Sequence, residues 1–357
     1  MPTRRTSLRR ASSPPGAGAA PSRWTLLLLL LLWTPLAASA RTDSAPGTST
    51  RTTQQLCSAI ANRLASVDMT ECLEAELSAT GASSVGGWPI VTRDFSPPAP
   101  RTPAWLLELL DLPRVEQPGR VLLVGGMHGD ELSATSIVFH WIAELEKAGA
   151  GRPPGREHRD DRDDDLPLHW RIAPLLNPDG LLQRPAVRMN AHGVDLNRNF
   201  PTTNWFNESR DYWERQTGKD PRRYPGPYPV SEPESRWLAE EIDRFQPDVV
   251  VSVHAPYNNV DFDGPPDAPD RLGPLQLRLM GTYPGSLGRY AGVSRRIPVV
   301  TIELPHAGIM PSAGDQLGIL GDLVDYLSEK IASQRGVHAV PPADLGEADG
   351  ASSTGGR

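Results

Sequence analysis

The sequence predicts an α/β fold with a mixed, mainly parallel central sheet and helices on both faces. Three short apolar runs, at 121–124, 248–253 and 297–302, have the composition of strands. Each run is apolar at nearly every position, which is typical of strands that are buried on both faces. Helical patterns alternate with these runs, and that order favours parallel strands joined by crossover helices.

The helices of this domain are predicted from apolar residues at helical spacing. One pattern follows the first strand over 131–145, and a second leads into the second strand over 237–245. A third pattern, over 317–331, closes the domain. The domain is expected to span residues 84–333.

The chain on either side of this domain is predicted to form flanking segments. Residues 1–40 are interpreted as a signal peptide, and 41–83 as an N-terminal linker with a short helical segment. Residues 334–357 are rich in Gly, Pro, Ala and Ser and predict a disordered tail. Within the domain, 151–166 is rich in Pro, Gly, Arg and Asp and is interpreted as a solvated insertion loop. Its carboxylates lack the spacing and the glycine of a calcium loop.

The first 40 residues have the three parts of an export signal. Five arginines without an acidic residue precede seven consecutive leucines at 26–32, and Ala38-Ser39-Ala40 follows as a small-residue cleavage site. The apolar run is shorter than the roughly 18–20 residues that span a bilayer, so no stable membrane span is expected after cleavage. We therefore expect an exported protein, periplasmic or secreted. Two Arg-Arg pairs leave both the general secretory and the twin-arginine route open.

The balance of charges excludes one broad class of function. The chain has 36 Lys and Arg against 43 Asp and Glu, which gives a net charge of −7. Proteins that bind nucleic acid in general carry an excess of basic residues, so no nucleic-acid partner is predicted.

The two cysteines, Cys57 and Cys72, are predicted to form a disulfide because export favours oxidation. On one straight helix their separation would place them about 22 Å apart, whereas a disulfide requires Cα atoms within about 7 Å. The bond therefore requires this segment to fold back as a hairpin. Two buried free thiols are the alternative.

Side chains that bind metals follow each of the three predicted strands. His128 and Glu131 come after the first strand, His254 ends the second, and Glu303 ends the third. The carboxyl ends of parallel strands meet at one edge of the sheet, where ligands bind. The i, i+3 spacing of His128 and Glu131 places both on one face of a helical turn. Two histidines, a carboxylate and an open position form a catalytic zinc arrangement.

A second informative segment, residues 188–201, carries two arginines beside asparagines. Arg188 and Arg198 are ten residues apart, and Asn197 precedes the second. Arginine holds a planar carboxylate through two hydrogen bonds, so this pattern predicts a site for a carboxylate. Surface salt bridging is the alternative reading of both arginines.

Six motifs in this order resemble those of the carboxypeptidase A-like zinc metallocarboxypeptidases over roughly residues 84–333. The motifs are His128-x-x-Glu131, Asn177-Pro178-Asp179-Gly180, Arg188, Val194-Asp195-Leu196-Asn197-Arg198-Asn199-Phe200, Ser252-x-His254 and Thr301-Ile302-Glu303-Leu304. The compact size and the segments 284–288 and 299–305 look most like the murein peptide amidase branch. Members of that branch cut the γ-D-glutamyl–diaminopimelate bond of cell-wall peptides. The resemblance implies the family's fold, one Zn²⁺ per chain and a peptide substrate with a free C-terminal carboxylate.

The resemblance also assigns catalytic roles. His128, Glu131 and His254 match the zinc ligands. Glu303 matches the general base, which takes a proton from water and passes it to the leaving amine. Arg188 matches the residue that helps zinc to stabilise the oxyanion.

Further residues match the parts of the family's site that hold the substrate and orient a ligand. Asn197 and Arg198 match the clamp on the substrate's terminal carboxylate, and Asp195 matches the partner that orients His128. Tyr283 matches the mobile tyrosine that closes over the substrate, with Tyr290 as the competing candidate. The sequence places no residue in the side-chain pocket, so the preferred terminal residue stays open.

Four functions are consistent with these residues to different degrees. The first is an exported zinc carboxypeptidase acting on murein peptides, and the second is a general exported carboxypeptidase that trims proteins and peptides. The third is a catalytically silent binding module on the same fold, which Glu303 argues against because a binder needs no base. The fourth is a deacylase of small acylated amino acids. The set of Arg188, Asn197 and Arg198 favours a peptidase over this last reading.

Overall fold

The computed structural model describes residues 51–97, 108–110, 117–149 and 166–336. These residues all belong to one compact unit, Gly47–Arg357. The predicted signal peptide, nearly all of the predicted insertion loop and most of the predicted tail lie outside the described residues.

A seven-stranded mixed sheet forms the centre of the described chain. Its strands are β1 (Ser78–Ser83), β2 (Pro89–Phe95), β3 (Gly119–Val124), β4 (Leu168–Ala173), β5 (Val249–His254), β6 (Asn259–Asp263) and β9 (Val299–Glu303). The short strands β7 (Arg271–Leu272) and β8 (Leu275–Gln276) pair only with each other among the described residues. The spatial order is β1-β2-β4-β3-β5-β9-β6. The four inner strands run parallel, and β1, β2 and β6 add antiparallel edges.

Seven α-helices and four short helical turns accompany these strands in the described residues. The α-helices are α1 (Thr53–Ala61), α2 (Met69–Glu74), α3 (Leu132–Ala148), α4 (Pro178–Leu182), α5 (Trp205–Asp211), α6 (Pro233–Phe245) and α7 (Ala313–Gln334). The turns are 3₁₀-helices at Leu196–Arg198 and Pro221–Arg223 and π-helices at Tyr212–Gln216 and Gly288–Ser294.

Helices cover both faces of the sheet, as the apolar strands predicted. Alternate residues of β3 point to opposite sides: Val121 and Leu123 join a core with α1, α2, α3 and α7, whereas Leu122 and Val124 join a second core with α6. All four side chains are fully buried. Burial on both faces explains why this strand is apolar at consecutive positions. The predicted fold class is therefore confirmed.

The three predicted strands correspond to β3, β5 and β9, and the three predicted helical patterns to α3, α6 and α7. The other four strands of the sheet carry polar residues at many positions. In β4, for example, Arg171 forms ion pairs with Asp94 of β2 and Glu241 of α6. A polar side chain paired in this way occupies a strand position without leaving an apolar run in the sequence.

The N-terminal segment belongs to the same folded unit as the sheet. Leu56 and Ile60 of α1 are buried in the core that contains α3 and α7. A disulfide joins Cys57 to Cys72, with Cα atoms 5.5 Å apart, so α1 and α2 fold back on each other. Strand β1 extends the sheet at its edge. The folded region therefore begins before the predicted boundary at residue 84.

The order of the inner strands determines where a ligand-binding crevice can form. Strand β3 pairs with β4 on one side and with β5 on the other, so the connections leave it in opposite directions. A crevice forms at such a point beyond the carboxyl ends of the strands.

No helix within the described residues is both long enough and apolar enough to cross a membrane.

Candidate active site

A cavity of about 600 Å³ lies at the carboxyl ends of β3, β5 and β9. It brings together all the residues that the sequence predicted to contact metal or substrate. These residues are His128, Glu131, Arg188, Asn197, Arg198, His254, Tyr283 and Glu303. Asp195 does not line the cavity and is fully buried.

Three of these side chains form a compact cluster that could hold a metal ion. His128 Nδ1 lies 2.8 Å from Glu131 Oε1, and His254 Nδ1 lies 3.0 Å from Glu131 Oε2. The two Nδ1 atoms are 3.1 Å apart. All three side chains are buried.

The local chain explains how His128 and Glu131 reach this position. The chain leaves β3 at Val124, and Glu131 stands immediately before the first residue of α3. Between them, Gly129 packs against Gly180, where a Cβ would lie 2.1 Å from the backbone carbon of Gly180. Only glycine permits this contact, so the turn after β3 is held against the Asn177-Pro178-Asp179-Gly180 segment, one of the six motifs that carry the resemblance.

The outer nitrogen of each histidine has a hydrogen-bond partner. His128 Nε2 donates to Asp195 Oδ1 at 3.1 Å, because an ionised carboxylate can only accept. Burial opposes ionisation of Asp195, but the charge of Arg188 and the hydrogen bond and charge of His128 together outweigh it and hold the pKa of that carboxyl well below its usual range. His254 Nε2 lies 2.9 Å from Ser252 Oγ, two residues earlier on the same side of β5.

These contacts fit the demands of a zinc site. With the proton on Nε2, each Nδ1 presents a lone pair, and both lone pairs point towards the carboxylate of Glu131. Arg188 Nη1 lies 3.1 Å from His128 Nδ1, and an arginine can only donate. Burial raises the pKa of Glu131, but the neighbouring His128 and His254 outweigh it, so the net pKa is lowered and the carboxylate is ionised. Two imidazole nitrogens and one carboxylate oxygen are the donors that zinc prefers.

Glu303 lies beside this cluster at the end of β9. Its position is directly opposite His254 of β5 in the strand register. Burial, and then the negative charge of Glu131, raise the pKa of Glu303 to about 8. A cation bound by the neighbouring cluster would lower this pKa again, because positive charge favours the carboxylate.

The two arginines differ in their contacts with Asp195. Arg188 Nε donates to Asp195 Oδ2 at 3.0 Å, which keeps its guanidinium next to the His128 and Glu131 side chains. Arg198 is on the 3₁₀ turn that follows Asp195. It is buried, its Nη1 donates to the Asn197 carbonyl at 2.6 Å, and burial lowers its pKa. Its Nε has no hydrogen-bond partner among the described residues.

Asn197 and Tyr283 complete the region around Arg198. The Asn197 side-chain oxygen accepts from Leu287 N at 2.8 Å, which ties the 3₁₀ turn to the segment that precedes the π-helix. The Tyr283 ring lies under the Arg198 guanidinium, with 4.5 Å from the guanidinium carbon to the ring centre. Tyr290, the competing candidate, is buried, stacks on Phe200 and does not line the cavity.

The cavity also contains residues that the sequence reasoning did not single out. Asp261 and Asp263 of β6 line it from one side, and Arg278 lines it from the segment after β8. In β6 the polar residues alternate with Val260 and Phe262, a half-buried strand pattern that would have placed both aspartates on one face. Nothing in the sequence indicates that this face borders the cavity.

A model of the family described as zinc carboxypeptidase matches residues 81–260 of the chain, about half of its length. The matched region includes His128, Glu131 and His254 and ends before Glu303. The family-wide match therefore covers the cluster that could hold a metal ion but not the strand that carries Glu303.

Two bacterial proteins with similar sequences are both named murein peptide amidase A. The protein of Vibrio campbellii is 32% identical over 199 residues, which cover 54% of this chain and 72% of that protein. The protein of Escherichia coli K12 is 30% identical over 191 residues, which cover 52% of this chain and 70% of that protein.

A similar fold is found in the carboxypeptidase A of Helicoverpa armigera. Its crystal structure matches with a TM-score of 0.51 and 15% sequence identity, covering 79% of this chain and 80% of that one. At this identity the similarity concerns the fold alone.

Proposed function

The chain belongs to the zinc carboxypeptidase family, and from this premise we propose that it is an exported enzyme that removes diaminopimelate from murein peptides. The proposed reaction is hydrolysis of the γ-D-glutamyl–diaminopimelate bond, with the free carboxylate of diaminopimelate held in the cavity. The names of the two bacterial relatives support this substrate class. The chain is a hydrolase of this family.

One observation carries the proposal that the enzyme is an exopeptidase. Arg198, a buried cation, lines the same cavity as the His128, Glu131 and His254 cluster, and its Nε is unpaired within the described chain. A buried unpaired donor is costly unless a ligand satisfies it. A substrate carboxylate would do so and would place the preceding amide bond towards the cluster.

The proposed zinc ligands are His128, Glu131 and His254, with one ion per chain. Zinc, when bound there, would polarise the scissile carbonyl and lower the pKa of a water molecule towards about 7. Asp195 and Ser252 hold the two imidazole rings by their outer nitrogens, so both rings are oriented before the ion arrives.

Side chains of the protein would carry out the remaining steps of the reaction. Glu303 would accept a proton from the attacking water and deliver it to the leaving amine. Arg188 would donate to the carbonyl oxygen as negative charge develops on it. Asn197 and Arg198 would hold the terminal carboxylate, and Tyr283, whose ring packs on Arg198, would close over the bound residue.

Export to the periplasm or the medium is the second part of the proposal. It rests on the predicted signal peptide, with its cleavage site at Ala38-Ser39-Ala40. The disulfide between Cys57 and Cys72 supports it, because such bonds persist mainly in oxidising compartments.

The test is a comparison of substrates with the purified mature protein. L-Ala-γ-D-Glu-diaminopimelate is incubated in one set of reactions, a panel of peptides with ordinary C-terminal residues in a second and acylated amino acids in a third, and products are identified by mass spectrometry. Release of diaminopimelate at a rate far above that of the panel is expected. Equal cleavage of the panel would favour a general carboxypeptidase, and cleavage of acylated amino acids alone would favour a deacylase.

A further inference from the structure

Two adjacent arginines line the cavity and have no part in the proposed reaction. Arg222 and Arg223 belong to the 3₁₀ turn Pro221–Arg223, and both face the cavity. Their side chains are 54% and 38% exposed, so a ligand can reach both guanidinium groups. Arginine stays protonated in proteins, so this turn brings permanent positive charge to the cavity.

Hydrogen bonds hold the turn in place at both of its ends. Before the turn, Trp213 Nε1 donates to the Asp220 carbonyl at 2.8 Å. After it, Asp195 N donates to the Tyr224 carbonyl at 2.9 Å. The side chain of Asp195 is also the partner of His128, so the turn is tied to the residue that orients one member of the metal-binding cluster. The position of the two arginines is therefore built into the fold.

An aspartate holds Arg222 beside the cluster. Arg222 Nη2 donates to Asp130 Oδ2 at 2.7 Å, and Asp130 immediately precedes Glu131 in the chain. This bond uses one of the five N–H donors of the guanidinium, and the Arg222 side chain makes no other hydrogen bond with a described residue. Arg222 thus combines a fixed orientation with free donors, which suits it to bind a further carboxylate.

Arg223 has different surroundings. Its Nε lies 3.6 Å from Asp220 Oδ2, which is too far for a hydrogen bond. Burial is the main cause of the lowered pKa of Arg198, and the charges of Arg188 and Arg223 add to it. Arg223 therefore lies close to the clamp for the terminal carboxylate. Arg222, next to the cluster, is the arginine available to the other half of the substrate.

A γ-linked glutamyl residue carries a charge that an ordinary peptide lacks at this place. The carbonyl that is cut belongs to its side chain, so its α-carboxylate stays free on the acyl side of the scissile bond. Four carbon–carbon bonds separate the two groups, which puts them within roughly 5 Å of each other. With the terminal residue held by Asn197 and Arg198, the acyl residue extends from the cluster away from the clamp.

We propose that Arg222, held by Asp130, binds the free α-carboxylate of a γ-linked glutamyl residue and so selects the acyl half of the substrate. The inference rests on the proposed function and deepens it by naming a residue that determines specificity. A substrate without this carboxylate leaves Arg222 with Asp130 as its one partner and binds less tightly. Arg222 takes no part in breaking the bond.

Two dipeptides that differ in one group provide the test. L-Ala-D-Glu is the acyl product of the proposed reaction, and L-Ala-D-isoglutamine is the same molecule with its α-carboxylate converted to an amide. Calorimetry measures the binding of each to the zinc-loaded protein, so no turnover is required. L-Ala-D-Glu should bind about tenfold more tightly, as expected for a hydrogen bond between charged groups. Equal affinity of the wild-type protein for both would overturn the inference.

Variants assign this preference to one arginine. Arg222→Gln should abolish it, and Arg222→Lys should keep part of it because the charge remains. Arg215→Gln is the matched control, at an exposed arginine that also pairs with one aspartate but lies outside the cavity, and it should keep the wild-type ratio of affinities. An unchanged ratio in Arg222→Gln, or a ratio lost only in Arg223→Gln, would overturn the assignment to Arg222. Thermal unfolding shows whether each variant folds like the wild type.

Turnover separates this inference from the proposed function. L-Ala-γ-D-Glu-diaminopimelate and its D-isoglutaminyl counterpart share the terminal residue and the scissile bond. The wild type should cut the first with the higher kcat/KM, and Arg222→Gln should cut both alike. Equal cleavage of both by the wild type would uphold the proposed function and overturn the role of Arg222. If neither were cut, the proposed function would fail, while a preference for L-Ala-D-Glu that depends on Arg222 would still support the binding site.

Discussion

The two sides of the cavity are built differently. On the strand side, His128, Glu131 and His254 bond to one another, and the outer nitrogens of both histidines bond to buried side chains. On the loop side, the buried Nε of Arg198 has no hydrogen-bond partner among the described residues.

This difference suggests a division of tasks: the strand side holds reactive side chains in a fixed geometry, and the loop side contacts the ligand. Strands β3, β5 and β9 are fixed by their ladder and by apolar packing on both faces, so their ends hold side chains in one geometry. The 3₁₀ turn and the segments after β8 and before the π-helix present charges that a ligand can satisfy. Changes on the strand side should therefore impair metal binding and turnover, whereas changes on the loop side should alter which substrate is bound.

The largest effect is expected for His254→Ala. Removing one of three protein ligands should eliminate stoichiometric zinc binding and, with it, activity. Metal analysis of the purified variant is the measurement, and one zinc per chain is expected in the wild type. His192→Ala, at a mostly exposed histidine, is the control and should retain the ion. Full zinc occupancy in His254→Ala would reject the ligand assignment.

Glu303→Gln should reduce turnover without changing metal binding. The amide has the shape of the acid but cannot accept the proton, and general-base catalysis contributes about 10²–10⁴-fold. Turnover should fall by that amount while zinc content and thermal stability stay at the wild-type level. Glu240→Gln, on the exposed side of α6, is the matched control. A kcat near that of the wild type would show that another group is the base.

Arg198→Ala tests the loop side. Loss of one member of a buried charged pair costs about 2–5 kcal/mol, so kcat/KM should fall strongly for peptides with a free C-terminus. The same peptides with an amidated C-terminus should be poor substrates for both proteins and should hardly change. Arg210→Ala, at an exposed arginine of α5, is the control. Equal cleavage of free and amidated peptides by the wild type would contradict the clamp.

Asp195→Asn should have the smallest effect of the four, because Asp195 acts through His128. A residue that orients a ligand typically contributes about 10–100-fold to metal affinity. Zinc affinity measured by competition with a chelator should fall by this factor, while saturating zinc restores much of the activity. Asp211→Asn, at an exposed aspartate, is the control. A variant that lost only thermal stability, with unchanged zinc affinity, would indicate a purely structural role.

Much of the strand side could be predicted from the sequence because its signals are local. The apolar runs of β3, β5 and β9 mark strands, and metal-binding side chains stand at or just after their ends. Parallel strands bring those ends to one edge whatever the details of the loops. The ordered motifs then indicated the family, which the comparisons confirm.

The loop side was harder to predict from the sequence, because no local pattern shows where an irregular segment lies in the folded structure. Sequence reasoning left Tyr283 and Tyr290 as competing candidates, and they differ only in tertiary surroundings: the first packs on Arg198, and the second stacks on Phe200. Asp263 of β6 was missed for a different reason, because nothing in the sequence indicates that its face of the strand borders the cavity.

The sequence by itself determined the fold class, the family and the edge of the sheet where the reactive side chains meet, because periodicity and motif order are properties of the chain. Only the tertiary structure decided three other matters: how early the folded region begins, which tyrosine faces the cavity, and which charged side chains line it. These depend on contacts between segments far apart in the sequence, and burial and close approach arise only when those segments pack together.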